Sequence, residues 1–123
     1  MRRQHVGDLV VVDEVDGKRL PAGIVTDRDI VMEIVAMGLD ASVMTVGDFM
    51  EPKLATVDEN EGIYETMLYM RTEGVRRLPV VDRDGALVGI VTLDDLIELL
   101  ADEMSELAKL VSSERMREEH ARR

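Results

Sequence analysis

Thr26 and Asp29 stand three residues apart, and so do Thr92 and Asp95. Each pair closes the same pattern, Gly-Ile-Val-Thr-x-x-Asp-(Ile/Leu), written at residues 23–30 and again at residues 89–96. A threonine followed three positions later by an aspartate supports two kinds of chemistry. At a strand-to-helix junction the hydroxyl accepts from an otherwise orphaned N–H near the aspartate, and the carboxylate favours the positive end of the helix. Helix capping therefore explains the spacing without any ligand. In the other reading the carboxylate, with two acceptor oxygens and no donor, receives both hydroxyls of a ribose, and the threonine adds a further hydrogen bond. The readings are compatible, because a capped and rigid aspartate is also a well-placed ligand group.

Catalytic and metal chemistry find little else to work with. The two histidines, His5 and His120, lie at opposite ends, and there is no cysteine for a disulfide, a thiolate or a soft metal site. No Gly-x-x-x-x-Gly-Lys-(Ser/Thr) phosphate loop is present, and Gly85 to Gly89 reads as a hairpin loop entering a strand. The acidic residues Glu98, Asp102, Glu103 and Glu106 fall on solvent-facing helix positions. The nine methionines read as core or interface filler. A net charge of −11 and 2% aromatic residues argue against a nucleic-acid or anionic-membrane partner, since either would repel the summed field. No apolar run approaches the roughly 20 residues of a membrane span, so the expected location is the cytoplasm. With 46% apolar and 33% charged residues in 123, the balance is that of an ordinary globular domain whose core must be aliphatic.

The elements that position the two pairs come from a repeat. Aligning Met1 with Met70 pairs Val6 with Val75, Leu9 with Leu78, Val11-Val12 with Val80-Val81, and Asp13 with Asp82. Three extra residues in the first copy fall around Asp16-Gly17 and Pro21, where a hairpin loop is expected. The unit is longer than a solenoid repeat, which points to two pseudo-symmetric halves. The second copy reads strand, helix, strand, strand, helix. Leu54 to Val57 is a strand candidate, and Asp58 with Glu61 forms a capping pair. Ile63, Met67, Leu68 and Met70 recur at helical spacing up to Gly74, and Asp82 to Gly85 turns between two strands. From Thr92 a long amphipathic helix follows, its apolar face including Leu96, Leu100, Met104, Leu107 and Val111. The first copy has no counterpart of residues 45–69, which leaves a strand edge and an apolar face uncovered. A shortened chain or a start placed at an internal methionine is favoured over a second chain that completes the fold.

Val75-Arg-Arg-Leu-Pro-Val-Val-Asp, then Gly85, then Gly89-Ile-Val-Thr-x-x-Asp-Leu resembles the cystathionine β-synthase (CBS) domain, and Val46-Gly-Asp-Phe-Met is similar to the lead-in of such a repeat. The likeness covers residues 45–111 well and residues 5–38 in part. It is nearest to small bacterial proteins that contain little but a tandem pair of these repeats. The resemblance implies an α/β (α+β) fold of β-α-β-β-α repeats, with small sheets packed together and helices outside. It implies residues 1–44 as a partial first repeat, 45–111 as a complete second repeat and 112–123 as a charged helical tail. It further implies a non-catalytic sensor that binds AMP, ADP, ATP or S-adenosylmethionine between repeats, forms a homodimer and regulates an unknown protein. Carried onto this sequence, the second-copy site comprises Ala55, Thr56 and Val57, the segment Leu78-Pro79 and the arginines Arg76 and Arg77 facing phosphates. Thr92 and Asp95 hold its ribose, and Pro79 is expected on an edge strand. Thr26 and Asp29 form a weaker first-copy site, because Val10 stands where Pro79 stands and the adenine-facing strand is absent. The rival readings are a structural dimerisation module without a small-molecule ligand and a regulatory fragment of a larger enzyme or transporter. The tail is read as frayed and solvated, or else as a helix pairing with its mate through Met104, Leu107 and Val111.

Overall fold

In the first copy, the β-branched run at Val10-Val11-Val12 and the Ile24-Val25-Thr26 segment lie on the two strands of a hairpin. Strands β1 (Asp8–Val15) and β2 (Lys18–Thr26) pair antiparallel, with Asp8 opposite Thr26 and Val15 opposite Lys18. The computed structural model describes residues 1–50 and 54–122; residues 51–53, behind the lead-in, and 123, the last of the arginine-rich tail, lie outside the described residues. Asp16 and Gly17 adopt positive φ values of 52° and 77°, the two-residue turn that matches the twist of paired strands. The expected loop ends there. Pro21 and Ala22 lie inside β2, where Val11 faces Gly23 and Val12 faces Pro21, so Ala22 is the extra residue of a β-bulge. A bulge absorbs an inserted residue without opening the hairpin.

Helix α1 (Asp27–Ile30) follows β2 directly and continues as a π-helical turn over Val31–Val35, closed by Gly38 at φ 67°. Two short 3₁₀ turns, Ala41–Val43 and Val46–Asp48, lead into the second copy. Asp40 caps the first of them: its carboxylate accepts from the Ser42 hydroxyl at 2.7 Å and the Ser42 N–H at 3.0 Å. Those two bonds hold the Asp40 carboxyl below the usual carboxylate range.

The second copy departs from expectation in three places. Only Val57–Asp58 forms strand β3, because β4 is its one partner and the ladder consists of Val57 opposite Val80 and Asp58 opposite Val81. Leu54 to Thr56 approach it as irregular chain. The Asp58 carboxylate does not cap helix α2 (Ile63–Glu73); it accepts from Asn60 N–H at 2.8 Å in a turn that precedes the helix. Gly62 occupies the cap position instead, and its carbonyl accepts from both the Thr66 N–H (3.0 Å) and the Thr66 hydroxyl (2.7 Å). Gly74 ends α2 in the left-handed conformation, as its position predicts. Strands β4 (Arg77–Val81) and β5 (Leu87–Thr92) complete a sheet of order β3-β4-β5, so Pro79 sits in the central strand and not at an edge. The missing donor is tolerated because β3 engages β4 only from Val80 onward.

Between β4 and β5, the Asp82 carboxylate accepts from Asp84 and Ala86 N–H groups at 2.9 and 3.0 Å, and Gly85 takes φ 81°. The described chain divides into two compact units, Met1–Ile90 and Val91–Arg123. In the first, both copies contribute to the interior: Val25 and Ile34 from the first, Val57, Met70, Leu78 and Pro79 from the second. Two ion pairs also join the copies, Lys18 Nζ to Asp84 Oδ2 at 3.1 Å and Arg77 Nη1 to Asp8 Oδ2 at 3.3 Å. The second unit is dominated by α3 (Leu93–Arg122), about 45 Å long at 1.5 Å per residue. The tail is therefore continuous helix through Arg122 and not a frayed end. Its apolar residues Met104, Leu107 and Val111 are 67%, 58% and 50% exposed. No helix among the described residues is long and apolar enough to cross a membrane.

Leu78 has no exposed surface. Leu78→Ala is expected to lower stability by about 3 kcal/mol in urea unfolding, through lost burial and the cavity left behind. Val43→Ala, at a position 79% exposed, is expected to change it by less than about 0.5 kcal/mol.

Candidate functional site

The junction between β2 and α1 builds the polar centre of the site. Thr26 Oγ1 accepts from Asp29 N–H at 3.0 Å, and Asp29 Oδ2 accepts from Thr26 N–H at 2.9 Å, a reciprocal capping box. The next residue fastens this junction to the start of β1, where Asp27 N–H donates to the Gly7 carbonyl at 2.9 Å. Sequence thus sets the conformation locally, and strand pairing sets where it points.

Capping alone does not mark a ligand site, because the same spacing recurs elsewhere. Thr92 and Asp95 exchange the same two bonds, at 3.2 and 3.0 Å. A third pair, Thr45 and Asp48, uses the motif at the lead-in turn, with Thr45 N–H donating to Asp48 Oδ2 at 2.8 Å. Asp48 and Asp95 are exposed, whereas Asp29 is half-buried. The difference lies in what surrounds Asp29.

Thr26 and Asp29 open onto a cleft of about 320 Å³ within the first unit, together with Ile24 of the same strand. The second copy supplies the other walls: Leu54 and Ala55 from the chain before β3, and Val75, Arg76 and Arg77 from the entry to β4. One carboxylate, one hydroxyl and two guanidinium groups therefore share a space otherwise lined by aliphatic side chains. The volume falls at the lower end of the range for small-molecule pockets. Aliphatic walls suit a flat heterocycle, a carboxylate suits a diol, and guanidinium groups suit an anion.

The first-copy pair was expected to be the weaker one for want of its own wall strand. The structure supplies that wall from the second copy. Of the second-copy residues singled out from sequence, Ala55, Arg76 and Arg77 line this cleft. Thr56 is half-buried beside them in the chain, Val57 is buried in β3, and Leu78 and Pro79 are fully buried in β4, where they serve the interior. Thr92 and Asp95 begin the second unit, where their capping box starts α3. Ile24, Leu54 and Val75 were missed. Two of them stand two residues before a residue already suspected, Ile24 before Thr26 and Val75 before Arg77, the same-side spacing of an extended chain. Among the described residues, no group of three or more His, Asp or Glu side chains is placed to hold a metal ion.

Comparison with known proteins agrees with this architecture. A family model described as the CBS domain matches residues 46–102. Hypoxic response protein 1 of Mycobacterium tuberculosis is 38% identical over 102 residues, covering 83% of this chain and 68% of that protein. The chain spans 47% to 68% of the length of the curated relatives compared. A CBS domain pair solved with 5′-methylthioadenosine and S-adenosyl-L-methionine superposes with a TM-score of 0.65 at 28% identity, over 83% of this chain and 76% of that one. A CBS domain protein of Pyrobaculum aerophilum, solved with AMP, gives a TM-score of 0.65 at 26% identity, over 76% of this chain and 69% of that one. The mixed α/β fold, the matched segment and these relatives agree, and the chain belongs to the CBS-domain family.

Proposed function

We propose that this chain is a regulatory module without catalytic activity, which binds an adenosine-containing ligand in the cleft shared by its two copies. The observation that carries this reading is the meeting of Thr26 and Asp29 with Ala55, Arg76 and Arg77 around one space of about 320 Å³. The complexes of two structural relatives with AMP and with S-adenosyl-L-methionine support the ligand class. In this reading Asp29 Oδ2 is held by Thr26 N–H, and the Oδ1 oxygen accepts from a ribose hydroxyl. Ile24, Leu54, Ala55 and Val75 flank the base, and the arginines face whatever is attached to the ribose. AMP, ADP, ATP and S-adenosylmethionine are the candidates. The module comprises residues 1–44 as a partial repeat, residues 45–111 as a complete one and residues 112–123 as a helical tail, acting in the cytoplasm.

Regulation follows from linkage. A ligand that touches both copies stabilises the arrangement in which both walls are present, and a partner that distinguishes this arrangement reads the ligand's concentration. A second reading, assembly without a small-molecule ligand, is favoured by α3. Its stripe of exposed Met104, Leu107 and Val111 is the surface through which a homodimer would form.

Calorimetric titration with the four candidates is expected to give micromolar binding for at least one of them, worth about 8 kcal/mol. Asp29→Ala should abolish the heat in protein that remains folded, and Asp95→Ala should preserve it. Loss in Asp95→Ala alone would move the ribose site to the second copy, and no heat from any candidate would leave the assembly reading. Independently, Leu107→Asp is expected to convert a dimer to a monomer in light scattering without altering nucleoside affinity.

A further inference from the structure

Arg77 lines the cleft but is not free to serve it. Its Nη1 sits 3.3 Å from Asp8 Oδ2, and the two side chains are only 35% and 26% exposed, so solvent screens the pair incompletely. Asp8 is held rigidly in that position. It is the first residue of β1, pairs with Thr26 across the hairpin, and follows Gly7, whose carbonyl accepts from Asp27 N–H. The Arg77 Nε, meanwhile, is buried and has no hydrogen-bond partner among the described residues. A guanidinium with one donor drawn to a carboxylate and another buried without a partner is in an incompletely satisfied pose. An acceptor arriving in the cleft offers a better one.

We infer that Asp8 is a specificity-determining residue that withholds Arg77 from phosphate, so that the cleft favours an uncharged or cationic adenosine-containing ligand over a phosphorylated one. The inference rests on the nucleoside reading of the cleft. A phosphate can recruit Arg77 only by breaking the Asp8 pair, and the released carboxylate is then half-buried beside the incoming anion. Both effects act on the phosphate and neither acts on the base or ribose. Arg76 is exposed on the same lining and carries no ion pair among the described residues, so a phosphate still meets one guanidinium. Asp8 sets whether it meets two.

The test compares adenosine with AMP by calorimetry on wild type, Asp8→Asn and Asp8→Asn/Arg77→Gln, with thermal unfolding confirming each fold. Asp8→Asn is expected to tighten AMP about tenfold, equivalent to 1.4 kcal/mol, and to leave adenosine within about twofold. Adding Arg77→Gln should erase that gain. Equal shifts for both ligands, or no shift, would overturn the role of Asp8 while adenosine binding lost in Asp29→Ala kept the cleft assignment intact. Failure of both ligands to bind wild type and Asp8→Asn would overturn the cleft assignment and this inference with it. Should Asp8→Asn not fold, Asp8→Ser takes its place: it should tighten AMP about tenfold and leave adenosine within about twofold, and the absence of a gain selective for AMP would overturn the inference.

Discussion

The reciprocal hydrogen bonds between Thr26 and Asp29 set the direction in which the chain leaves β2. Without them two orphaned N–H groups at the start of α1 would lack partners, and the carboxylate would be free to rotate. With them, Asp29 Oδ2 is committed to the backbone and Oδ1 has one defined place. The Asp27-to-Gly7 backbone bond then anchors the whole junction to β1. The orientation of Asp29, the position of Asp8 opposite Thr26 and the reach of Asp8 to Arg77 all descend from this corner.

A cap is a general device, and among the described residues its Thr-x-x-Asp form occurs at three junctions, where the threonine N–H donates to the aspartate at 2.9, 2.8 and 3.0 Å. Its repetition shows why a local motif does not by itself assign function. Thr45 and Asp48 stabilise a lead-in turn, and Thr92 and Asp95 start a long helix. Around Thr26 and Asp29 the first unit gathers aliphatic walls and two arginines. The distinguishing feature is the company the motif keeps, and that company comes from the other copy.

Much of the fold was legible in the residues. Asp16-Gly17 specified its turn because both positions need positive φ, and Gly74 specified the end of α2 for the same reason. The match of Leu9 to Val12 with the second-copy strand Leu78 to Val81 specified β1, and near-absence of aromatic residues specified an aliphatic interior of Val25, Ile34, Val57, Met70 and Leu78. What misled was local chemistry with more than one outlet. Asp58 could cap a helix or close a turn, and it closes the turn. Pro79 could mark an edge, yet the two-residue reach of β3 leaves room for it in the central strand. An insertion near Pro21 could lengthen a loop or make a bulge, and strand pairing on both sides selected the bulge.

The sequence by itself determined the repeat, the capping boxes at Thr26 and Thr92, the turn at Asp16-Gly17 and the family, because each depends on residues close together in the chain or on a pattern written twice. The family resemblance carried by its motifs is what pointed to an adenosine-containing ligand as the chemistry to test. Tertiary structure decided which aspartate faces which arginines. Asp29 shares its cleft with Arg76 and Arg77, almost 50 residues away in sequence, and Asp8 pairs with Arg77 from further still. No spacing rule relates such positions. They meet because a two-stranded and a three-stranded sheet in one unit bury side chains from both copies, and burial of those side chains is a property of the whole unit rather than of any segment.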